Sequence, residues 1–147
     1  MILISACLAG VPFRMDGCSK PCPALAELAL QGRAVLVCPE VLGGLPTPRI
    51  PSERLADGRV VNAIGEDVTA QFRLGAQRAL QICRDRGCTR AVLKARSPSC
   101  GTGMIYDGSF SKRLVAGNGV FAQLLQAEGI EVLTEEEYQK QLDREEA

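Results

Sequence analysis

Ala91-Val-Leu-Lys-Ala-Arg-Ser-Pro-Ser-Cys-Gly101 is the stretch from which the architecture can be read. A short apolar run passes directly into a loop that sets two hydroxyls, Ser97 and Ser99, and the Cys100 thiol around a proline and a glycine. A strand ends there and polar chemistry begins. The same junction occurs twice more: Cys7 follows Met1-Ile-Leu-Ile-Ser-Ala6, and Cys38 follows Ala34-Val-Leu-Val37. Short continuous apolar runs suit strands covered on both faces, as in a parallel sheet. If these three runs are neighbouring parallel strands, three thiols meet at one sheet edge.

Around these runs, strand and helix patterns alternate. Ile2 to Ser5 reads as the first strand, and a helix is predicted over Pro23 to Gln31, with Leu25, Leu28 and Ala29 on one face and Gly32 at its stop. The loop from Cys38 to Pro51 holds four prolines and two glycines, which argue against a helix or a central strand. Arg59 to Asn62 reads as a short edge strand. Asp67 or Thr69 is placed to cap a helix reaching about Arg86, whose stripe Val68, Phe72, Ala76, Ala79, Leu80 and Cys83 recurs at three and four residues. Ala91 to Lys94 is the third strand, and Ile105-Tyr-Asp-Gly-Ser-Phe110 a β-turn with extended flanks. Asn118 or its neighbours open a helix with Val120, Phe121, Leu124 and Leu125 inward. Ile130 to Leu133 is the fourth strand, and Thr134 with Glu137 makes a capping box for a polar C-terminal helix.

This alternation specifies an α/β fold: one three-layer, Rossmann-like domain over residues 1–147 with a mainly parallel sheet. Such sheets bind ligands beyond the carboxyl ends of their strands. Cys7, Cys38 and Cys100 all fall there.

Composition narrows the chemistry. Seventeen basic residues balance 17 acidic ones, so charge gives no sign of a long nucleic-acid track or a membrane-surface protein. No apolar stretch approaches the roughly 20 residues that cross a bilayer, and a secretory signal pattern is missing, so a soluble, cytoplasmic protein is expected. The 147 residues include 7 cysteines in an α/β-like pattern, which points away from a disulfide framework. The absence of histidine removes Ser-His and Cys-His catalysis and His-ligated zinc.

Four cysteines read as packing residues: Cys83 lies in its helix stripe, Cys88 trails that helix, and Cys18 and Cys22 sit where a loop becomes a helix. Cys18 with Cys22, or Cys83 with Cys88, has a spacing permissible for half a zinc site. Cys7, Cys38 and Cys100 differ, each standing just after a strand in a loop with glycine or proline. Three converging thiolates without histidine suit a soft metal or an iron-sulfur cluster. With three protein ligands, one iron of a four-iron cluster keeps an open position, which favours catalysis over electron transfer. Beside such a site, Glu40 is a candidate general base, and Ser97 a candidate proton relay or substrate contact. Gly117-Asn-Gly-Val-Phe-Ala122 fits G-x-G-x-x-A without a convincing strand before it; its helix N-terminus, near Lys112 and Arg113, is a candidate anion site.

Ser5-Ala-Cys-Leu-Ala-Gly10, Arg14-Met-Asp-Gly17, Cys38-Pro-Glu-Val-Leu-Gly-Gly-Leu-Pro-Thr-Pro-Arg49, Gly65-Glu-Asp-Val-Thr69, Lys94-Ala-Arg-Ser-Pro-Ser-Cys-Gly101 and Ile105-Tyr-Asp-Gly108 together resemble the DUF523 family, whose characterised members are thiouracil desulfidases. The resemblance spans nearly the whole chain. It implies a catalytic 4Fe-4S cluster on Cys7, Cys38 and Cys100, with Glu40 and Ser97 as the catalytic pair. The implied reaction is non-redox hydrolysis of a small thiolated pyrimidine, thiouracil or 4-thiouridine monophosphate, to the uracil form with release of sulfide. The alternative is a non-catalytic iron-sulfur or zinc sensor. Candidate substrate contacts are Arg14, Arg49, Lys94, Arg96, Ser99 and Lys112. Relatives often carry cysteine where this chain has Phe13, so no ligand is expected there. Without an appended RNA-binding domain, the chain is expected to take a free base or nucleotide rather than a polynucleotide.

Overall fold

In the computed structural model, residues 1–11 and 22–146 are described. Strand β1 (Ile2–Ser5) runs into a 3-10 turn (Ala6–Ala9), and α1 (Pro23–Leu30) leads to β2 (Ala34–Val37). A one-turn helix α2 (Pro39–Leu42) follows, then the hairpin of β3 (Ser52–Arg54) and β4 (Val60–Asn62), then the long helix α3 (Thr69–Asp85). The chain continues through β5 (Arg90–Leu93), a second hairpin of β6 (Met104–Tyr106) and β7 (Leu114–Ala116), α4 (Val120–Ala127), β8 (Glu131–Thr134) and α5 (Glu135–Glu146).

The central sheet has the order β2-β1-β5-β8 with every pairing parallel, Ser5 standing beside Val37 and Ile4 beside Val92. Alternation along each strand sends neighbouring side chains to opposite faces. Leu3, Val35, Ala91 and Leu93 pack with Ala76, Ala79 and Leu80 of α3 and Phe121 and Leu125 of α4. Ile4 and Val92 pack the other way, against Leu25 and Leu28 of α1 and Tyr138 of α5. Two helical layers thus enclose the sheet, and this explains why its strands read as unbroken apolar runs. The expected α/β class holds. Among the described residues, no helix is long and apolar enough to cross a membrane.

Three local expectations change. The proline-rich segment after Cys38 does form a helical turn, because Pro39 occupies its first position, where a missing N–H costs nothing. The strand at Val60–Asn62 pairs with β3 in its own hairpin and does not edge the main sheet. Val68, rather than Asp67 or Thr69, takes the cap position of α3. Asp67 Oδ1 instead accepts the Thr69 N–H (2.9 Å), and Thr69 Oγ1 accepts the Val60 N–H (2.9 Å), tying the start of the helix to the hairpin.

The capping box at α5 forms as expected, with Thr134 N–H donating to Glu137 Oε1 (3.0 Å) and Glu137 N–H to Thr134 Oγ1 (3.1 Å). Thr134→Ala should therefore cost about 1 kcal/mol, read as a lower urea midpoint with an unchanged slope.

Candidate active site

Winding from β1 to β2 in one direction and on to β5 in the other places a topological switch at the carboxyl ends of β1 and β5, where such sheets open a crevice. A cavity of about 520 Å³ lies there. Cys7, Cys38 and Cys100 all line it, together with Glu40 and Ser97. Residues 93 positions apart in the chain are thereby brought to one wall, because each follows a strand of the same parallel sheet.

Local chemistry fixes each of them. Cys7 sits in the 3-10 turn that ends at Gly10, whose φ of 99° is a left-handed value open to glycine. Cys38 precedes α2, and Glu40 lies in its first turn. The Ser97–Gly101 loop is folded back on itself: Ser97 Oγ accepts the N–H groups of Ser99 (3.1 Å) and Cys100 (3.0 Å), and Ser97 O accepts that of Gly101 (2.9 Å). From the other side, Val120 N–H donates to Pro98 O (2.8 Å), and Phe121 and Ala122 N–H donate to Ser99 O (2.9 and 3.1 Å). Only glycine permits this approach, since a Cβ on Gly119 would stand 2.4 Å from Ser99 O.

That last arrangement overturns the expected anion site at Gly117 to Ala122. The first N–H groups of α4 are spent on loop carbonyls, so the helix start holds the Cys100 loop in place and has no donors left for a phosphate. Ser99, expected at the substrate, is likewise turned into the interior: it is 0% exposed and its hydroxyl has no hydrogen-bond partner among the described residues.

Electrostatics couple the remaining groups. Burial pushes the Cys100 thiol far above its ordinary value; the Ser5 hydroxyl draws it down, while Cys38, Glu40 and Cys7 push it further up. Burial also raises Cys38, opposed by the Val41 N–H, with the Glu40 carboxylate raising it and Arg49 lowering it. Ser5 itself is 3% exposed and accepts the Lys94 N–H (3.0 Å). Acidic groups facing one another around buried sulfur disfavour the Cys38 and Cys100 thiolates until positive charge arrives.

Arg49, expected at the substrate, is already engaged. Its Nε donates to Glu40 Oε2 at 2.5 Å, with the two side chains 8% and 15% exposed, and its Nη1 reaches Thr47 Oγ1 (3.2 Å). This pair aims Glu40 and leaves Oε1 without a partner among the described residues. Lys94 pairs with Glu135 (3.4 Å) and Arg96 with Glu136 (2.5 Å), so both cations of the strand-end loop are held by the first turn of α5. Lys112 lines the cavity with no ion-pair partner among the described residues. Arg14 and Cys18 lie outside the described residues. The sequence reading missed Glu53, Tyr106 and Phe110, which also line the cavity. For Glu53 no local signal existed, because its partner Gly108 is 55 positions away.

The family described as 2-thiouracil desulfurase matches residues 2–137. The chain belongs to the 2-thiouracil desulfurase family. A solved structure of the 4Fe-4S-dependent thiouracil desulfidase TudS is similar at 49% identity and a TM-score of 0.87, covering 92% of this chain and 90% of that one. Uncharacterized protein YbbK of Bacillus subtilis (strain 168) is 38% identical over 146 residues, which span 93% of this chain and 97% of that protein.

As a member of the 2-thiouracil desulfurase family, the chain can be tested for its fit to a 4Fe-4S cluster. The donor set at the cavity is sulfur from three directions, the ligand class that such clusters take. Among the described residues, no three His, Cys, Asp or Glu side chains gather tightly enough to hold one metal ion. A four-iron cube engages each thiolate at a different corner, so its ligands stand further apart than those of a single ion. A pocket in which burial makes Cys38 and Cys100 resist ionisation alone, and whose volume exceeds what packing leaves empty, suits a bulky cationic iron-sulfur core.

Proposed function

We propose that this protein is a non-redox, hydrolytic desulfidase that converts a small thiolated pyrimidine to its uracil form and releases sulfide. The observation that carries the reading is the meeting of Cys7, Cys38, Cys100 and Glu40 on one cavity at the switch point of the sheet. Cys7, Cys38 and Cys100 would hold the 4Fe-4S cluster. When bound with one iron open, such a cluster supplies a Lewis acid and a soft acceptor for sulfur.

The chain's own groups account for the proton movements. Hydrolysis exchanges C=S and water for C=O and hydrogen sulfide, so the water oxygen stays on the ring carbon, two protons leave with sulfur, and no electrons are transferred. Glu40 Oε1, the carboxylate oxygen left open by Arg49, takes the proton from the attacking water. Ser97 has already accepted two backbone N–H bonds, so its hydroxyl is left to donate, toward the heteroatoms of the ring. Arg49 positions Glu40 and does not contact the substrate. Lys112 meets the phosphate when the substrate is a nucleotide, and the whole chain acts as one domain on small molecules.

The test is anaerobic purification, iron and sulfide analysis, and incubation with 2-thiouracil and with 4-thiouridine monophosphate. Stoichiometric sulfide and uracil product are expected. A cluster-loaded protein that releases no sulfide from either compound would instead leave the sensor reading. Glu40→Gln should keep the brown absorbance and lower kcat by a factor of about 100 to 10,000, the usual span for a general base. A Glu40→Gln protein with wild-type kcat would remove Glu40 from the reaction.

A further inference from the structure

Non-glycine residues rarely adopt left-handed backbone, and among the described residues only Arg96 (φ 68°), Phe110 (φ 57°) and Lys112 (φ 62°) do so. All three line the cavity. Strain kept where glycine would relieve it marks a place where the side chain is needed. Two of the three belong to the tip of the β6–β7 hairpin, which follows the Cys100 loop in the chain.

That tip is held from below by a side chain that the proposed reaction does not use. Glu53, 8% exposed in β3, accepts the N–H groups of Gly108 (2.9 Å) and Phe110 (3.1 Å) on the same oxygen, Oε1. Gly108, with φ 98°, lets the tip press on Leu55, which follows β3: a Cβ there would stand 2.5 Å from Leu55 Cδ2. Asp107 Oδ1 accepts the Ser109 N–H (2.9 Å), and Asp107 N–H donates to Arg113 O (3.0 Å), closing the loop. The loop is therefore built to one shape. Its product is a phenyl ring that lines the cavity while remaining 36% exposed. An aromatic ring kept partly in water by a strained, anchored loop is poorly explained as core packing.

We propose that Phe110 is a specificity-determining residue whose ring stacks on the face of a planar pyrimidine, and that Glu53 is the positioning residue that holds the hairpin tip for it. The inference rests on the desulfidase reading for its substrate class. Stacking holds the heterocycle equally in the ground state and the transition state, so its loss is read in KM rather than in kcat. An aromatic face accepts any flat base, so the ring selects for shape while polar groups elsewhere read the ring's edges.

Sulfide release from 2-thiouracil by the cluster-loaded protein tests this through a split between KM and kcat. Phe110→Leu, which keeps bulk and loses the π face, should raise KM about tenfold with kcat within about threefold, as expected for one base–aromatic stack. Phe110→Tyr should recover most of the affinity. Glu53→Ala should raise KM in the same way, and Glu53→Gln, whose amide oxygen still accepts both N–H bonds, should recover it. A wild-type KM in Phe110→Leu would overturn the proposal.

A second readout needs no turnover. The chain contains no tryptophan, so Phe110→Trp introduces a single indole whose emission should change saturably as uracil is titrated into the loaded protein. Emission that does not respond to uracil counts against stacking. Should the wild-type protein release no sulfide from either 2-thiouracil or 4-thiouridine monophosphate, the desulfidase reading fails by itself. The uracil titration still decides whether a pyrimidine ring meets position 110.

Discussion

Cys100→Ala, purified without oxygen, should be colourless and should release sulfide at less than about one hundredth of the wild-type rate. Groups that merely orient metal ligands are worth about 10- to 100-fold, so loss of a ligand itself must exceed that range. Cys100 is the most enclosed of the three cavity thiols at 6% exposure, and its loop is fixed by Ser97 Oγ on one side and by the start of α4 on the other. Cys38→Ala should behave alike. Cys83→Ala is the control. That thiol lies in the core at 0% exposure, is pushed up to about 11 by burial, and donates to Cys88 O (3.5 Å). Its replacement should leave the colour and the turnover in place and cost about 1 kcal/mol for the small cavity left behind. Brown absorbance together with iron content would expose an error: a fully coloured Cys100→Ala protein removes that residue from the ligand set.

The second large effect is expected far from any titratable group. Gly75, in the middle of α3, faces the carbonyl of Pro39, and a Cβ at this position would stand 1.7 Å from that oxygen. The contact is reciprocal, since a Cβ on Gly43 would stand 2.0 Å from Gln71 O. Two helix backbones therefore touch here, and the glycines set how deeply α2 sits on α3. Arg78 Nη1 secures the end of α2 by donating to Leu42 O (2.6 Å). Because Cys38 immediately precedes α2 and Glu40 lies in its first turn, Gly75→Ala must shift both from their places at the cavity. Overpacking costs about 1–3 kcal/mol, which for a chain of this size lowers Tm by roughly 3–10 °C. Displacing a reacting group by about 1 Å costs on the order of a hundredfold in rate, so kcat should fall more steeply than stability. Thermal melting and sulfide release, measured on the same preparation, separate the two effects. A Gly75→Ala protein with wild-type Tm and kcat would show that α2 can shift freely, contrary to the packing described.

Stretches whose structure is local were legible before any tertiary contact was known. The apolar runs at Ile2–Ser5, Ala34–Val37 and Arg90–Leu93 appear as strands within about one residue of their expected bounds, because burial on both faces leaves no polar position to blur the pattern. The capping box at Thr134 and Glu137 was legible for the same kind of reason, both partners lying within one turn. Where a role depended on a distant partner, local reading failed. The G-x-G-x-x-A stretch has the right residues for an anion cradle, yet Gly119 is there to let the loop carbonyls of Pro98 and Ser99 close on the helix. Arg49 lines the cavity, yet nothing in the sequence shows that its Nε donates to Glu40.

Taken alone, the order of residues determined the α/β class, the parallel sheet and the exit of three cysteines from strand ends, since hydrophobic periodicity and turn chemistry act over a few residues. Only tertiary structure decided the strand order that gathers those thiols, the pairing that aims Glu40, and the strained loop that presents Phe110. These depend on contacts between residues tens of positions apart. Their free energy comes from removing particular surfaces from water together, and no local pattern in the chain records which surfaces those are.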